Sequence, residues 1–187
     1  MRIYGNRQLK TLPGQATRPT TARVREAVFN IWQGKINNSY WLDLCAGNGS
    51  MGAEALCRGA KKAVAIESSA RACHIIRQNW SQVTTPKQTF QVIRGDVKAK
   101  IHNLAGEKFD YIYFDPPYAS DLYEPVLTAI AKLQLLSPIG KIAVEHNDKM
   151  WSAQNIPGLQ ISRTKVYGNT SLTIYWAENV EDFSEKN

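Results

Sequence analysis

Phe109-Asp110-Tyr111-Ile112-Tyr113-Phe114-Asp115-Pro116-Pro117-Tyr118 is the stretch that decides the fold. Its first six residues form an almost unbroken apolar and aromatic run, the pattern of a strand buried on both faces, and two successive prolines stop any ladder or helix directly after it. The sequence therefore predicts a strand that delivers the carboxylate of Asp115 to the rim of a sheet. Pro116 and Pro117 lack N–H groups and have fixed φ, so the Pro116 carbonyl is held beside that carboxylate. Two acceptors at one place suit an amino group, a double donor, and Tyr118 adds a flat face on which a planar base can stack. Four residues leave a second reading open: an ordinary proline turn with Asp115 as a cap.

Around this stretch, short apolar runs alternate with helical patterns. Strands are predicted over 40–45, 62–67, 89–95, 109–115 and 141–145, and helices over 51–58, 69–80, 97–103 and 122–135. Such alternation argues for an α/β fold, a mostly parallel sheet with helices on both faces. Residues 159–167 and 171–177 differ, being two β-rich runs joined by Gly168-Asn169-Thr170, and they predict a closing antiparallel hairpin that brings the sheet to seven strands. Upstream, Val24, Ala27, Val28, Ile31 and Trp32 recur at helical spacing and predict an N-terminal helix over 21–33. Residues 1–20 read as a basic, extended arm with a short strand near 2–4 or 9–12. Residues 40–177 are then the core of a single domain spanning 1–187, and 178–187 a polar tail.

The segment Asp43-Leu44-Cys45-Ala46-Gly47-Asn48-Gly49-Ser50-Met51-Gly52 follows the first core strand and opens a helix. Its glycines satisfy G-x-G-x-x-G, which by itself admits a dinucleotide-binding oxidoreductase. In either case glycines let the backbone approach a ligand, and free N–H groups at the helix start favour a negative group. Asp43, still on the strand, suits an amino group or orients the loop, and it would repel a pyrophosphate. Glu67, followed by Ser68, ends the second strand where an acid accepts from ribose hydroxyls. Asp96 with Val97 follows the third strand, as an adenine contact or a helix cap. All these residues lie at carboxyl ends of strands, where ligands of open α/β sheets bind, and so predict one cleft.

The net charge of +7 is uneven: residues 1–35 carry +6 and the remaining 152 carry +1. Such asymmetry predicts a polyanion, most simply nucleic acid, as the partner of Arg7, Lys10, Arg18, Arg23 and Arg25. Cys45, Cys57 and Cys73 are odd in number and lack C-x-x-C spacing, while His74, His102 and His146 are scattered, so neither a metal site nor a disulfide framework is supported. No stretch has the apolar length of a signal or membrane span, and the expected compartment is a reducing cytoplasm.

Together these residues resemble the AdoMet-dependent methyltransferases of the class I, Rossmann-like fold, D-P-P-Y being similar to the motif of those that methylate exocyclic amines. The segments at 18–30, 43–60 and 167–172 resemble the RsmD family of bacterial methyltransferases, whose target is guanine N2 in 16S ribosomal RNA. The resemblance implies S-adenosylmethionine as methyl donor and no metal. It implies 16S rRNA within a small-subunit assembly particle as partner; the size suggests a monomer. Residues implied for the donor are Asp43, Cys45, Ala46, Gly47, Asn48, Gly49, Glu67, Ser68, Asp96 and Val97, and those for catalysis Asp115, Pro116, Pro117 and Tyr118. Cys45 and Asn48 replace the family's usual aromatic and serine, and Ser69 a further acid, which bears on donor affinity rather than donor identity. A DNA adenine-N6 methyltransferase and a non-catalytic RNA-binding assembly factor remain as alternatives.

Overall fold

Apolar residues on both sides of a strand need a covering layer on each, and the chain supplies two. The computed structural model describes residues 1–12 and 22–178. In chain order these form β1 (Arg2–Ile3), β2 (Arg7–Gln8), α1 (Ala22–Ile31), β3 (Tyr40–Leu44), α2 (Ser50–Cys57), β4 (Lys62–Glu67), α3 (Ala70–Val83) and β5 (Thr89–Arg94). Then follow α4 (Val97–Lys100) with a 3-10 turn at Ile101–Leu104, β6 (Phe109–Phe114), α5 (Tyr123–Lys132), β7 (Leu136–His146), β8 (Leu159–Tyr167) and β9 (Thr170–Ala177). β1 and β2 pair only with each other, and the rest form one seven-stranded sheet ordered β5-β4-β3-β6-β7-β9-β8. Its first five strands are parallel, and β9 is antiparallel to both β7 and β8. This is the predicted Rossmann-like architecture with its closing hairpin.

Side-chain alternation sorts the core into two layers. Ala63 and Ala65 of β4 face the side of Met51, Ala53 and Leu56 of α2, where small residues let the helix lie close. Val64 and Ile66 face the other side with Leu42, Leu44, Ile112 and Phe114, beneath Val126, Leu127 and Ile130 of α5. On the first side Phe29 stacks on Trp41 at 5.3 Å and Trp32 leans on Tyr111 at 4.6 Å, which docks α1 across β3 and β6. The chain runs from β3 outward to β5 and then returns to the other flank of β3 as β6. The sheet's topological switch point therefore lies between β3 and β6, and ligands of open α/β sheets bind at such a point.

The N-terminal expectation needs correction. Residues 1–12 are not a free arm: Ile3 and Leu9 are buried in the α1-side core, and Leu9 N–H bonds the Met1 carbonyl at 2.7 Å. Two apolar residues in a basic segment are enough to anchor it. The short strands are 2–3 and 7–8, not 9–12. α1 ends at Ile31, and β7 begins five residues earlier than 141, where the Leu136–Gly140 segment is partly exposed and loses its apolar signature. Positions 13–21 and 179–187, including Arg18 and most of the predicted tail, lie outside the described residues. No helix among the described residues is long and apolar enough to cross a membrane.

Candidate active site

The Asp115 corner and the glycine loop meet across the switch point. β3 and β6 pair in register from Trp41–Tyr111 to Leu44–Phe114, and one step further Asp115 N–H reaches the Leu44 carbonyl at 3.3 Å. Asp115 therefore emerges beside Cys45, the first residue of the loop. Burial pushes the Cys45 thiol well above its usual range, and Glu67, Asp115, Asp43 and Asp96 each push it further up. One thiol thus feels all four acids predicted to share a cleft.

These acids sit in different ways. Asp43 is 1% exposed and its Oδ2 accepts Gly52 N–H at 3.0 Å, inside the first turn of α2. Burial, opposed by that hydrogen bond and reinforced by Glu67, pushes its carboxyl up to about 8. Glu67 accepts from Gly47 N–H at 2.9 Å through Oε2, and from Ser69 N–H at 2.8 Å and the Ser68 hydroxyl at 3.3 Å through Oε1. Its carboxylate, expected to accept from ribose hydroxyls, also organises the loop. Asp96 is exposed and caps α4 through Ala99 N–H at 3.1 Å, while Val97 behind it is buried. Asn48, which replaces a smaller serine, uses Oδ1 to accept Ser50 N–H at 3.2 Å, and Ser69 is the N-cap of α3. Both departures from the family pattern thus have local structural uses.

The glycines divide by role. A Cβ on Gly52 would lie 2.2 Å from Trp80 Cζ2, and one on Gly49 2.8 Å from Trp80 Nε1, which donates to the Gly49 carbonyl at 2.7 Å. At these two glycines the missing side chain makes room for a tryptophan of α3, so the absence of a Cβ there serves packing. Of the three loop glycines only Gly47, at φ +57°, has open space where its side chain would be. Beside Trp80, Asn79 donates to the carbonyls of Asn48 at 3.0 Å and Lys10 at 3.1 Å, and accepts Lys10 N–H at 2.9 Å. It ties the N-terminal segment to the loop. Nothing in the sequence marked it except its place beside Trp80 on the buried stripe of α3.

The D-P-P-Y corner has a support that sequence reasoning missed. Pro116 is buried, Pro117 exposed, and Asp115 and Tyr118 half-buried. The Tyr118 hydroxyl donates to Glu145 Oε1 at 2.9 Å and lies 3.0 Å from Thr170 Oγ1; Tyr113 also donates to Glu145, which is 2% exposed. Burial raises the Tyr118 phenol far above its usual range, so it remains a neutral donor. A lone acid at the end of the β7 apolar run was the available signal.

A family model described as conserved hypothetical protein 95 matches residues 1–176. The putative rRNA methyltransferase YlbH of Bacillus subtilis (strain 168) is 33% identical over 171 residues, 90% of this chain and 92% of that protein. The ribosomal RNA small subunit methyltransferase D of Haemophilus influenzae is 30% identical over 144 residues, 76% of this chain and 75% of its own. Among solved structures, the putative methyltransferase yhhF from Escherichia coli is similar with a TM-score of 0.81 and 28% identity, covering 95% of this chain and 98% of that one. This chain belongs to the RsmD-type methyltransferase family.

Seen as an RsmD-type methyltransferase, the chain keeps two of the expected polyanion contacts at a distance from that role. Arg25 is 4% exposed, its Nε bonded to Glu54 Oε2 at 2.7 Å and its Nη2 to the Arg2 carbonyl at 3.0 Å, so it is a core residue and not a phosphate ligand. Its spacing with Val28, Phe29 and Trp32 at i+3, i+4 and i+7 was the signal that could have found it. Arg7 is exposed but its Nη1 contacts Cys57 Sγ at 2.8 Å. Lys10 and Arg23 are exposed, with Lys10 Nζ near Gln78 at 3.0 Å and Arg23 over the Tyr167 ring at 5.7 Å.

Proposed function

We propose that this chain transfers a methyl group from S-adenosylmethionine to the exocyclic N2 amine of a guanine in 16S ribosomal RNA. The observation that carries the reading is the juxtaposition of the Asp115-Pro116 corner with the Cys45–Asn48 loop at the switch point. The residues fit the donor. Asp43 is a buried carboxyl pushed up to about 8 beside Glu67, a setting that a cationic ligand relieves and a pyrophosphate aggravates. Gly47 offers the open backbone, and Asp43, Cys45, Ala46, Asn48, Gly49, Glu67, Ser68, Asp96 and Val97 would line the rest of that site. S-adenosylmethionine, when bound, supplies an activated methyl group.

The acceptor side is the work of the corner. An aromatic amine is a weak nucleophile because its lone pair is delocalised into the ring. Asp115 and the Pro116 carbonyl accept its two N–H bonds, favour a pyramidal nitrogen, and stabilise the positive charge that grows there. Pro117 stiffens the turn, and Tyr118, fixed by Glu145 and Thr170, offers its ring face to the base. The methylated, positively charged amine then loses a proton readily, to Asp115 or water. The base must be single-stranded or extruded to reach this corner. Relatives named as rRNA and small-subunit rRNA methyltransferases support the choice of RNA, and an assembling small-subunit particle in the cytoplasm is the setting we infer.

Nucleoside mass mapping of 16S rRNA from cells with and without the gene product tests the substrate, with N2-methylguanosine expected to disappear at one position. Asp115→Ala should abolish transfer and leave donor binding intact by calorimetry. Loss of both would assign Asp115 to the donor site and overturn its role here.

A further inference from the structure

The basic residues expected to hold RNA lay in the first 25 positions, yet one of them is buried and two are occupied locally. A different surface has the right chemistry. Along β8, Arg163, Lys165 and Tyr167 alternate onto one face, and their register partners on β9 are Ile174, Leu172 and Thr170. Leu172 and Ile174, on the same side of β9, are buried, while Arg163 and Lys165 on the edge strand are exposed. On the same face Trp176 is 44% exposed, with Lys141 Nζ 6.0 Å from its ring centroid. At the other end Arg23 lies over Tyr167.

We propose that this face of the β8–β9 hairpin is a track for single-stranded RNA, phosphates lying on Arg163, Lys165, Lys141 and Arg23 and bases on Tyr167 and Trp176. The proposal rests on the RNA-methylating reading and deepens it by naming where the strand runs. Three observations carry it. First, the track begins at the site: Thr170, which touches the Tyr118 hydroxyl at 3.0 Å, is the register partner of Tyr167. From there it follows the exposed edge strand β8 to the level of Trp176, six residue steps further along β9 and about 20 Å, enough for several nucleotides. Second, among the described residues none of the four cations is paired with a carboxylate, so their charge is available to a polyanion. Third, aromatic rings beside cations along an exposed sheet edge are how sequence-tolerant strand binding is built. β8 is the last strand of the sheet, and charges alone would guard its edge. Trp176 on that same side adds no such guard and gives a base a ring to stack on.

The experiment compares Arg163→Gln/Lys165→Gln with Lys87→Gln/Lys132→Gln, which removes the same charge from the opposite edge and from the end of α5. Binding to deproteinised 16S rRNA is titrated from 0.05 to 0.3 M salt, alongside S-adenosylmethionine calorimetry and sedimentation. Each lost phosphate contact flattens the log–log salt slope by about 0.7, so the first pair should lower it by about 1.4 and weaken binding about 25-fold at 0.1 M salt. Donor binding and the monomer-to-oligomer balance should match the wild type. Equal affinity and slope in both pairs would overturn the track while wild-type RNA methylation kept the parent reading intact. Self-association of the first pair with RNA affinity retained would also overturn it and make these charges edge guards. Absence of RNA binding and methylation in the wild type would instead sink the parent reading.

Discussion

Arg25→Met separates a core role from a nucleic-acid role by a measurable margin. The guanidinium and the Glu54 carboxylate have side-chain exposures of 5% and 3%, and their N–O distance is 2.7 Å. Removing one partner of a buried pair costs about 3–5 kcal/mol because the other charge is left behind. Here Glu54 keeps Arg58, whose Nη2 reaches Oε1 at 2.8 Å, so the lower end applies. The Arg2 carbonyl also loses its donor, which adds about 1 kcal/mol. The sum is about 4 kcal/mol. For a chain of this size each kcal/mol moves the midpoint by about 2–4 °C, so thermal unfolding followed by circular dichroism should show Tm lower by roughly 8–16 °C. Methionine fills similar volume, which keeps cavity effects small. The same measurement on Arg23→Gln, an exposed site, should move Tm by no more than about 2 °C while weakening RNA binding. An Arg25→Met protein with wild-type Tm and reduced RNA affinity would refute the argument and return Arg25 to the polyanion surface.

Two further outcomes follow from the glycine loop. Asp43 is held up to about 8, so between about pH 4 and 8 it is protonated in the folded protein and ionised in the unfolded chain. Donor-free stability should therefore fall as pH rises through that window, by up to about 1.4 kcal/mol per pH unit. Asp43→Asn should flatten that part of the denaturant-unfolding profile and weaken S-adenosylmethionine binding; a slope like the wild type's would show that Asp43 does not titrate there. Gly52→Ala drives a methyl group into Trp80 and should cost about 1–3 kcal/mol, more than Gly47→Ala, whose cost is about 1 kcal/mol of backbone strain. On calorimetric titration Gly47→Ala should be the one that impairs donor binding more per unit of stability lost, and the reverse order would reassign the open backbone.

Local pattern was enough for the elements and their order. The apolar run of 109–114, its proline stop, the alternation of strands and helices and the Gly168 turn each encode their own geometry within a few residues, so the seven-stranded sheet was legible. Strand ends converge by topology alone, which is why Asp43, Glu67, Asp96 and Asp115 could be grouped before any coordinate. What each polar group does there was not legible, because a partner distant in sequence decides it. Arg25 looked like its exposed neighbours until Glu54 closed on it; that Gly49 and Gly52 must lack a side chain to admit Trp80 appears only once α3 packs on the loop. Glu145 and Thr170 became visible only when β7 and β9 brought them under Tyr118. Likewise the docking of residues 1–12 depends on Ile3 and Leu9 finding a core made by α1 and α2. Sequence fixes periodicity and turn chemistry over short range, whereas burial, pairing and close approach are properties of which elements end up in contact.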